Sequence, residues 1–316
     1  MTMEPFELQP IKGQAPSRGD LETETSSHVH APGVLRNMAG VFSENKLAVI
    51  SVAFLVFIVL FCFFGPMLYD TNQTDAQDAL LNSTQNAPPS ADHWLGTDEN
   101  GFDVLGRLMF GGRIALIVGF FAAIVATTVG VIYGALSGFF RGWPDSVLMR
   151  IVDIGLSIPV LFLLICLVVI YRPTTPVLIL VIGAVSWLIP ARLIRAETLS
   201  LRTREYVDAV RVMGGTRRRI VGRHIIPNSV GTIVVFATFD VADSILLLAS
   251  LGFLGFGVAA PQTDWGTMLS NGVNYASNGY WWEIYPVGLC IVFVVVALNY
   301  FGDALRDALE VRLQDR

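Results

Sequence analysis

The chain has 316 residues, 53% of them hydrophobic and 15% charged, with a mean hydropathy of +0.59 and a formal net charge of −5. So few charges cannot coat a soluble globule of this length, which excludes a water-soluble domain and places the chain in a bilayer. The acidic excess lies in an N-terminal tail and an outer loop, and it argues against nucleic acid as a partner.

Residues 1–43 mix Pro, Gly, Ser, Thr and both charge signs without apolar periodicity and read as a disordered cytoplasmic tail. Within it, Val34 to Val41 form a short amphipathic piece. Leu47 to Phe64 is an uncharged run long enough to cross about 30 Å of hydrocarbon, and residues 44–110 are assigned to this first span and its outer loop. Its length and the long polar stretch before it mark a retained anchor rather than a cleaved signal peptide.

Five further spans are centred in Ala115–Phe139, Val147–Ile170, Val177–Leu193, Val230–Gly257 and Tyr285–Phe301. The expected fold is therefore all-α, a polytopic membrane protein with six transmembrane helices. Arg195, Arg202, Arg204, Arg211, Arg217, Arg218, Arg219 and Arg223 crowd one loop, whereas no Lys or Arg occurs from Pro227 to Leu305. The positive-inside rule makes that loop cytoplasmic. Alternation then puts Arg141 inside, Arg172 and the Asp-rich stretch from Tyr69 to Asp103 outside, and both termini inside. Residues 310–316 are read as a cytoplasmic C-terminal tail.

Inside the spans, Gly130, Gly134 and Gly138 recur every four residues in the second helix, a small-residue ridge for close helix packing. Gly252, Gly255 and Gly257 are expected to pack likewise, or to loosen the outer end of the fifth span. Arg150 and Asp153 are expected to pair across one helical turn. Trp281, Trp282 and Tyr285 are read as interfacial anchors. Asp240 and Asp243 lie mid-span in the fifth helix and share a face at i and i+3. Intramembrane carboxylates face a water-filled path or a polar partner, so these two are candidates for a translocation pathway or for hydrogen bonds to a neighbouring helix.

Cys62, Cys166 and Cys290 lie in spans, and the four histidines are scattered. Neither set has metal-ligand spacing, so no metal is expected. A phosphate-binding loop needs Gly-Lys-Ser/Thr. The chain has two lysines, Lys12 followed by Gly and Lys46 followed by Leu, and it cannot hold ATP by that device. If ATP drives it, another polypeptide carries the nucleotide.

The Arg-rich loop, 202–228, is the place for such a partner to touch. Thr203 is expected as an N-cap, and Glu205 suits the positive end of a helix. Val207, Val210 and Met213 recur on one helical face, with Asp208 and Arg211 on the other. That apolar face suits either docking to a partner or packing beneath the bilayer interface. Gly214 and Gly215 stop the helix. A second basic helix, Thr216 to His224, leads to Pro227. The Arg cluster also suits anionic lipid, at about 1 kcal/mol per cation near the surface.

A short cytoplasmic helix, a glycine break, a second helix and a proline before a span resemble the EAA loop of permease subunits of ABC importers. Asp208, Ala209 and Val210 stand at the acidic and small positions, Gly214 at the glycine and Ile226-Pro227 at the last pair; Asp replaces Glu, and Val replaces Ala. Four further segments, HWLGTDENGFDVLGRLMFGGR, MRIVDIGLSIP, FLGFGVAAPQTDWGTML and NYFGDALRDAL, are similar to the second permease subunit of dipeptide and oligopeptide importers. The resemblance implies a type I ABC importer permease fold over residues 111–309 in a bacterial inner membrane. It also implies a second homologous permease, two ATP-binding subunits or a fused pair holding ATP and Mg, and an extracytoplasmic substrate-binding protein. It further implies that Glu205, Val207, Asp208, Ala209, Val210, Arg211, Met213, Gly214 and Pro227 carry the coupling to the ATPase. The competing expectation is an ion-gradient carrier using Asp240 and Asp243, although the chain shows no repeated halves. A non-transporting scaffold subunit is a third.

Overall fold

The computed structural model describes residues 45–74, 79, 83–140 and 142–314, with side chains to Leu309. The expected tail over 1–43, with its Val34–Val41 piece, and the expected position of Arg141 lie outside these residues. Among the described residues there are helices and turns and no strand, apart from one isolated bridge between Thr97 and Asp103.

Helix α1, Lys46–Leu68, opens where the Asn45 side chain accepts from the amides of Leu47 and Ala48. Helix α2, Val104–Phe140, is 37 residues long and starts 11 residues before the expected span. Asp103 makes that start: its carboxylate accepts from the Gly106 amide at 2.7 Å and also binds the Tyr69 hydroxyl and His93 Nδ1, each at 2.9 Å. Arg107 and Arg113 broke the apolar run in the sequence, yet each finds a polar partner within the fold. Arg107 Nε lies 3.0 Å from Asp98, and Arg113 donates to the Phe63 carbonyl at 3.1 Å beneath two aromatic rings.

The third and fourth expected spans are both bent pairs. Helices α3, Trp143–Ser157, and α4, Val160–Tyr171, meet at 86°. Pro159 forces this break, since the residue before a proline avoids helical dihedrals and Ile158 is extended, with ψ 128°. Helices α5, Thr175–Ser186, and α6, Leu188–Leu201, meet at 43°. Here Pro190 lies in the first turn of α6, where its missing N–H is least costly. Among the described residues, four other helices or helical stretches are each long and apolar enough to cross a membrane: α1, α2, Val230–Phe253 and Trp281–Leu309.

The Arg-rich loop contains α7, Glu205–Val212, and α8, Arg217–Ile220. A wide turn over Val221–Ile225 and a short α9, Ile226–Asn228, then lead to α10, Val230–Phe253. On the opposite side come α11, Trp265–Asn274, and finally α12, Tyr285–Gln314. The main core gathers Val118 and Ala122 of α2, Leu178 and Ile182 of α5, Ile245 and Leu248 of α10, and Val294 of α12. Phe57 and Leu60 of α1, Phe120 of α2 and Phe293 of α12 stay exposed, an apolar exterior suited to lipid tails.

The glycine ridge works as the sequence implied. A Cβ on Gly134 would collide with the backbone carbonyl of Ala191, and one on Gly138 would lie 2.8 Å from the Arg195 carbonyl. Helices α2 and α6 therefore touch backbone to backbone along this ridge. Gly252 and Gly257 instead press against the Asp264 carboxylate, which binds the amides of Val258 and Thr267 and the Thr267 hydroxyl. The C-terminal end of α10 is pinned there, not loosened.

Candidate coupling site

Helix α6 carries the Arg-rich loop, and its guanidinium groups tie it to α3 and α2. Arg195 binds Asp145 of α3 in bidentate fashion, at 2.6 and 2.7 Å, and Ser137 of α2 donates to the same carboxylate at 2.6 Å. Arg192 reaches Asp153 at 2.6 Å, so Asp153 pairs with α6 and not with Arg150, as sequence proximity suggested. Arg202, at the end of α6, donates to the Gly138 carbonyl at 2.7 Å. Bidentate guanidinium–carboxylate pairs fix orientation as well as distance.

Residues 202–204 then turn the chain into α7. Thr203 does not cap it, as its hydroxyl donates back to the Ser200 carbonyl at 2.9 Å. The capping position falls on Arg204, whose side chain makes no capping bond. Glu205 and Asp208 in the first turn offset the exposed amides electrostatically. Asp208 also pairs with Arg211 one turn on, both side chains more than half exposed. Gly214 ends the helix at φ +79°, with open space around it, so the backbone conformation and not crowding favours glycine. Gly215 donates back to the Val210 carbonyl at 2.9 Å.

The apolar face of α7 turns inward. Val207 is fully buried and packs with Ile194, Ile220, Val221, Ile225, Val131 and Ala135, and Val210 is partly buried against the same cluster. Of the three residues expected on one face, only Met213 is exposed, at 77%. The outward surface is different: Tyr206, Val212 at 88% exposure and Met213 stand among the exposed Glu205, Asp208, Ala209 and Arg211. Partial burial pushes the Tyr206 hydroxyl up from its ordinary value, against the pull of Arg204.

The expected second basic helix is broken into pieces. Thr216 caps α8 by accepting from the Arg219 amide at 3.4 Å. Over Val221–Ile225 the chain then widens, and the Ile226 amide reaches back five residues to the Val221 carbonyl. Pro227 accounts for the break, because it has no N–H to continue the ladder. Pro227 itself is exposed at the first turn of α9. Arg217 lies over the Phe140 ring at 5.8 Å, which ties α8 to the end of α2.

Asp240 and Asp243 stand apart from this loop, on α10. Thr127 of α2 donates to Asp240 at 3.3 Å, while Asp243 is exposed. Sequence reading missed the ties on the opposite side of the protein. Trp282 is buried and its indole donates to the Thr97 carbonyl at 3.3 Å, so it is a structural pin and not an interfacial anchor. Asp98 faces Arg107 in a closed pair, and burial pushes its carboxyl up to about 6 despite the guanidinium. Turn residues around Gly96 and Gly101 were the available signal for this hub. Among the described residues no group of three or more His, Cys, Asp or Glu side chains is arranged to hold a metal ion.

Residues 128–315 match the family described as binding-protein-dependent transport system inner membrane component, and residues 35–89 match the N-terminal TM domain of oligopeptide transport permease C. The chain is 36% identical to the dipeptide transport system permease protein of Bacillus subtilis, over 86% of this chain and 83% of that one. It is 41% identical to the oligopeptide transport system permease protein of Escherichia coli K12, over 85% and 88% of the two chains. The fold is shared with the MetNI methionine ABC transporter in its inward-facing conformation, with a TM-score of 0.53, 22% identity and coverage of 63% of this chain and 94% of that one. This chain belongs to the family of inner-membrane components of binding-protein-dependent transport systems, and is a multi-pass permease of the inner membrane.

Proposed function

We propose that the chain forms one half of the membrane pathway of an ATP-driven importer for di- and oligopeptides, with six spans and both termini in the cytoplasm. A homologous second permease supplies the other half, two ATPase subunits or a fused pair bind ATP and Mg, and an extracytoplasmic binding protein delivers the cargo. The observation that carries this reading is the two-sided build of α7: Val207 is buried in the bundle, while Tyr206, Val212 and Met213 face out. A helix held on one face and bare on the other suits a part pushed by a partner. Glu205, Asp208, Ala209, Arg211 and the turn at Gly214 would meet the ATPase with it, and Val210 and Pro227 hold the loop in place.

The peptide cargo is supported by the names of the relatives, which are peptide permeases. Asp240 and Asp243 are the proposed polar lining of the pathway. The family relationship weighs against an ion-gradient carrier. Uptake of a radiolabelled tripeptide into sealed vesicles holding the whole complex is expected to require ATP and to survive collapse of the proton gradient. Uptake that follows the gradient and ignores ATP would overturn the reading.

A further inference from the structure

On the side of the protein opposite the coupling loop, four elements line a cavity of about 10 Å³, room for the centre of one water-sized group. Asp98 and Glu99 come from the outer loop, Val104 and Arg107 from α2, Met268 and Asn271 from α11, and Glu283 from the turn before α12. Its wall is one-sided in hydrogen-bond terms. Asp98 accepts from the amides of Asn100 and Phe102, both at 2.9 Å, and faces Arg107 Nε at 3.0 Å. Glu99 accepts from Asn271 at 2.6 Å and from Asn100 at 3.0 Å. Glu283 is 4% exposed, and neither of its carboxylate oxygens has a partner.

A buried carboxylate with both oxygens bare is costly, and its neighbours add two more carboxylates against one guanidinium. That guanidinium is already engaged with Asp98 and lies over the Phe102 ring at 4.9 Å. What the cavity lacks is therefore a small positive donor. No arrangement of acidic side chains suited to a metal ion exists among the described residues, so the missing group is one that hydrogen-bonds and does not coordinate. A primary ammonium meets each condition: compact, positive, three donors and no acceptor.

We propose that the cavity between Glu283, Glu99 and Asp98 is a binding site for a primary ammonium group. Glu283 receives it, and Glu99 and Asn271, both partly exposed, form the rim it passes. Two sources carry this chemistry, the amino terminus of a peptide and a lysyl side chain. The peptide source rests on the importer reading above, and the ammonium site itself does not.

The test uses the full chain in lipid nanodiscs, titrated with methylammonium chloride against tetramethylammonium chloride at equal ionic strength. Tryptophan fluorescence is the readout, since Trp282 is buried beside Glu283. Methylammonium is expected to give a saturable change that tetramethylammonium does not, and Glu283→Gln is expected to weaken it at least tenfold. Glu99→Gln, at the partly exposed rim, is expected to weaken it several-fold and keeps the test alive if the first variant misfolds. Equal responses to the two cations, or unchanged binding in both variants, would overturn the site. Competition by trialanine but not by N-acetyl-trialanine would assign the peptide source; no competition by either would refute that source.

Discussion

Val207 and Val212 lie five residues apart in one short helix and are expected to fail in opposite ways. Val207 is fully buried in the loop's apolar cluster, whereas Val212 is 88% exposed. Val207→Ala removes two methyl-sized groups at about 0.8 kcal/mol each and leaves a small void, a loss of about 2 kcal/mol in stability. Val212→Asp costs the fold almost nothing. If the ATPase covers Val212, the variant forfeits about 1.5 kcal/mol or more of apolar burial and brings a charge into the contact. Since about 1.4 kcal/mol is a factor of ten, association is expected to weaken at least tenfold. Thermal melting of the purified chain and pull-down of the ATPase subunits from mild detergent separate the two effects. Unchanged pull-down in Val212→Asp, together with weakened pull-down at normal melting in Val207→Ala, would refute the assignment of faces.

Gly134→Val drives a side chain into the Ala191 carbonyl and is expected to destabilise the chain by about 2–3 kcal/mol or more, read as a lower melting temperature. Asp145→Asn leaves Arg195 without its carboxylate; because that guanidinium is 30% exposed, the loss is expected at about 1–2 kcal/mol rather than that of a fully buried pair, and is measurable by melting. Asp98 has a folded value of about 6, above the ordinary carboxylate value, so the folded chain holds this proton more tightly than the unfolded one. Its contribution to stability is present at pH about 4 and is lost as the pH rises through about 6. Asp98→Asn is expected to flatten that part of a melting-versus-pH curve. Asp243→Asn is expected to lower peptide uptake several-fold while ATPase pull-down stays normal, and full uptake would remove it from the pathway.

How much of this was legible depends on whether the partner of a residue lies nearby in sequence. The ridge at Gly130, Gly134 and Gly138 could be read because its period of four names a helix face. The amphipathic pattern of α7 was equally clear, but periodicity does not say what covers the apolar side. Only the fold places Ile194, Ile220 and Val131 over Val207. Likewise Arg150 is the sequence neighbour of Asp153, yet the bend between α5 and α6 delivers Arg192 to it from 39 residues away. The early start of α2 was hidden because Arg107 and Arg113 look intolerable in a span until Asp98 and the Phe63 carbonyl are seen beside them. Trp282 and Glu283 follow the same rule, since their surroundings come from the outer loop about 185 positions earlier.

The two connections of α7 differ in stiffness. Toward α6 only residues 202–204 intervene, and Arg202 is fastened to Gly138. Toward α10 the chain passes a loosened turn at Val221–Ile225 and a proline. A load on α7 therefore meets a rigid lever on one side and a spring on the other. If a partner pushes on α7, displacement would pass through α6 and α2 as a unit, and the compliant side would absorb the mismatch so that the fifth span could follow late.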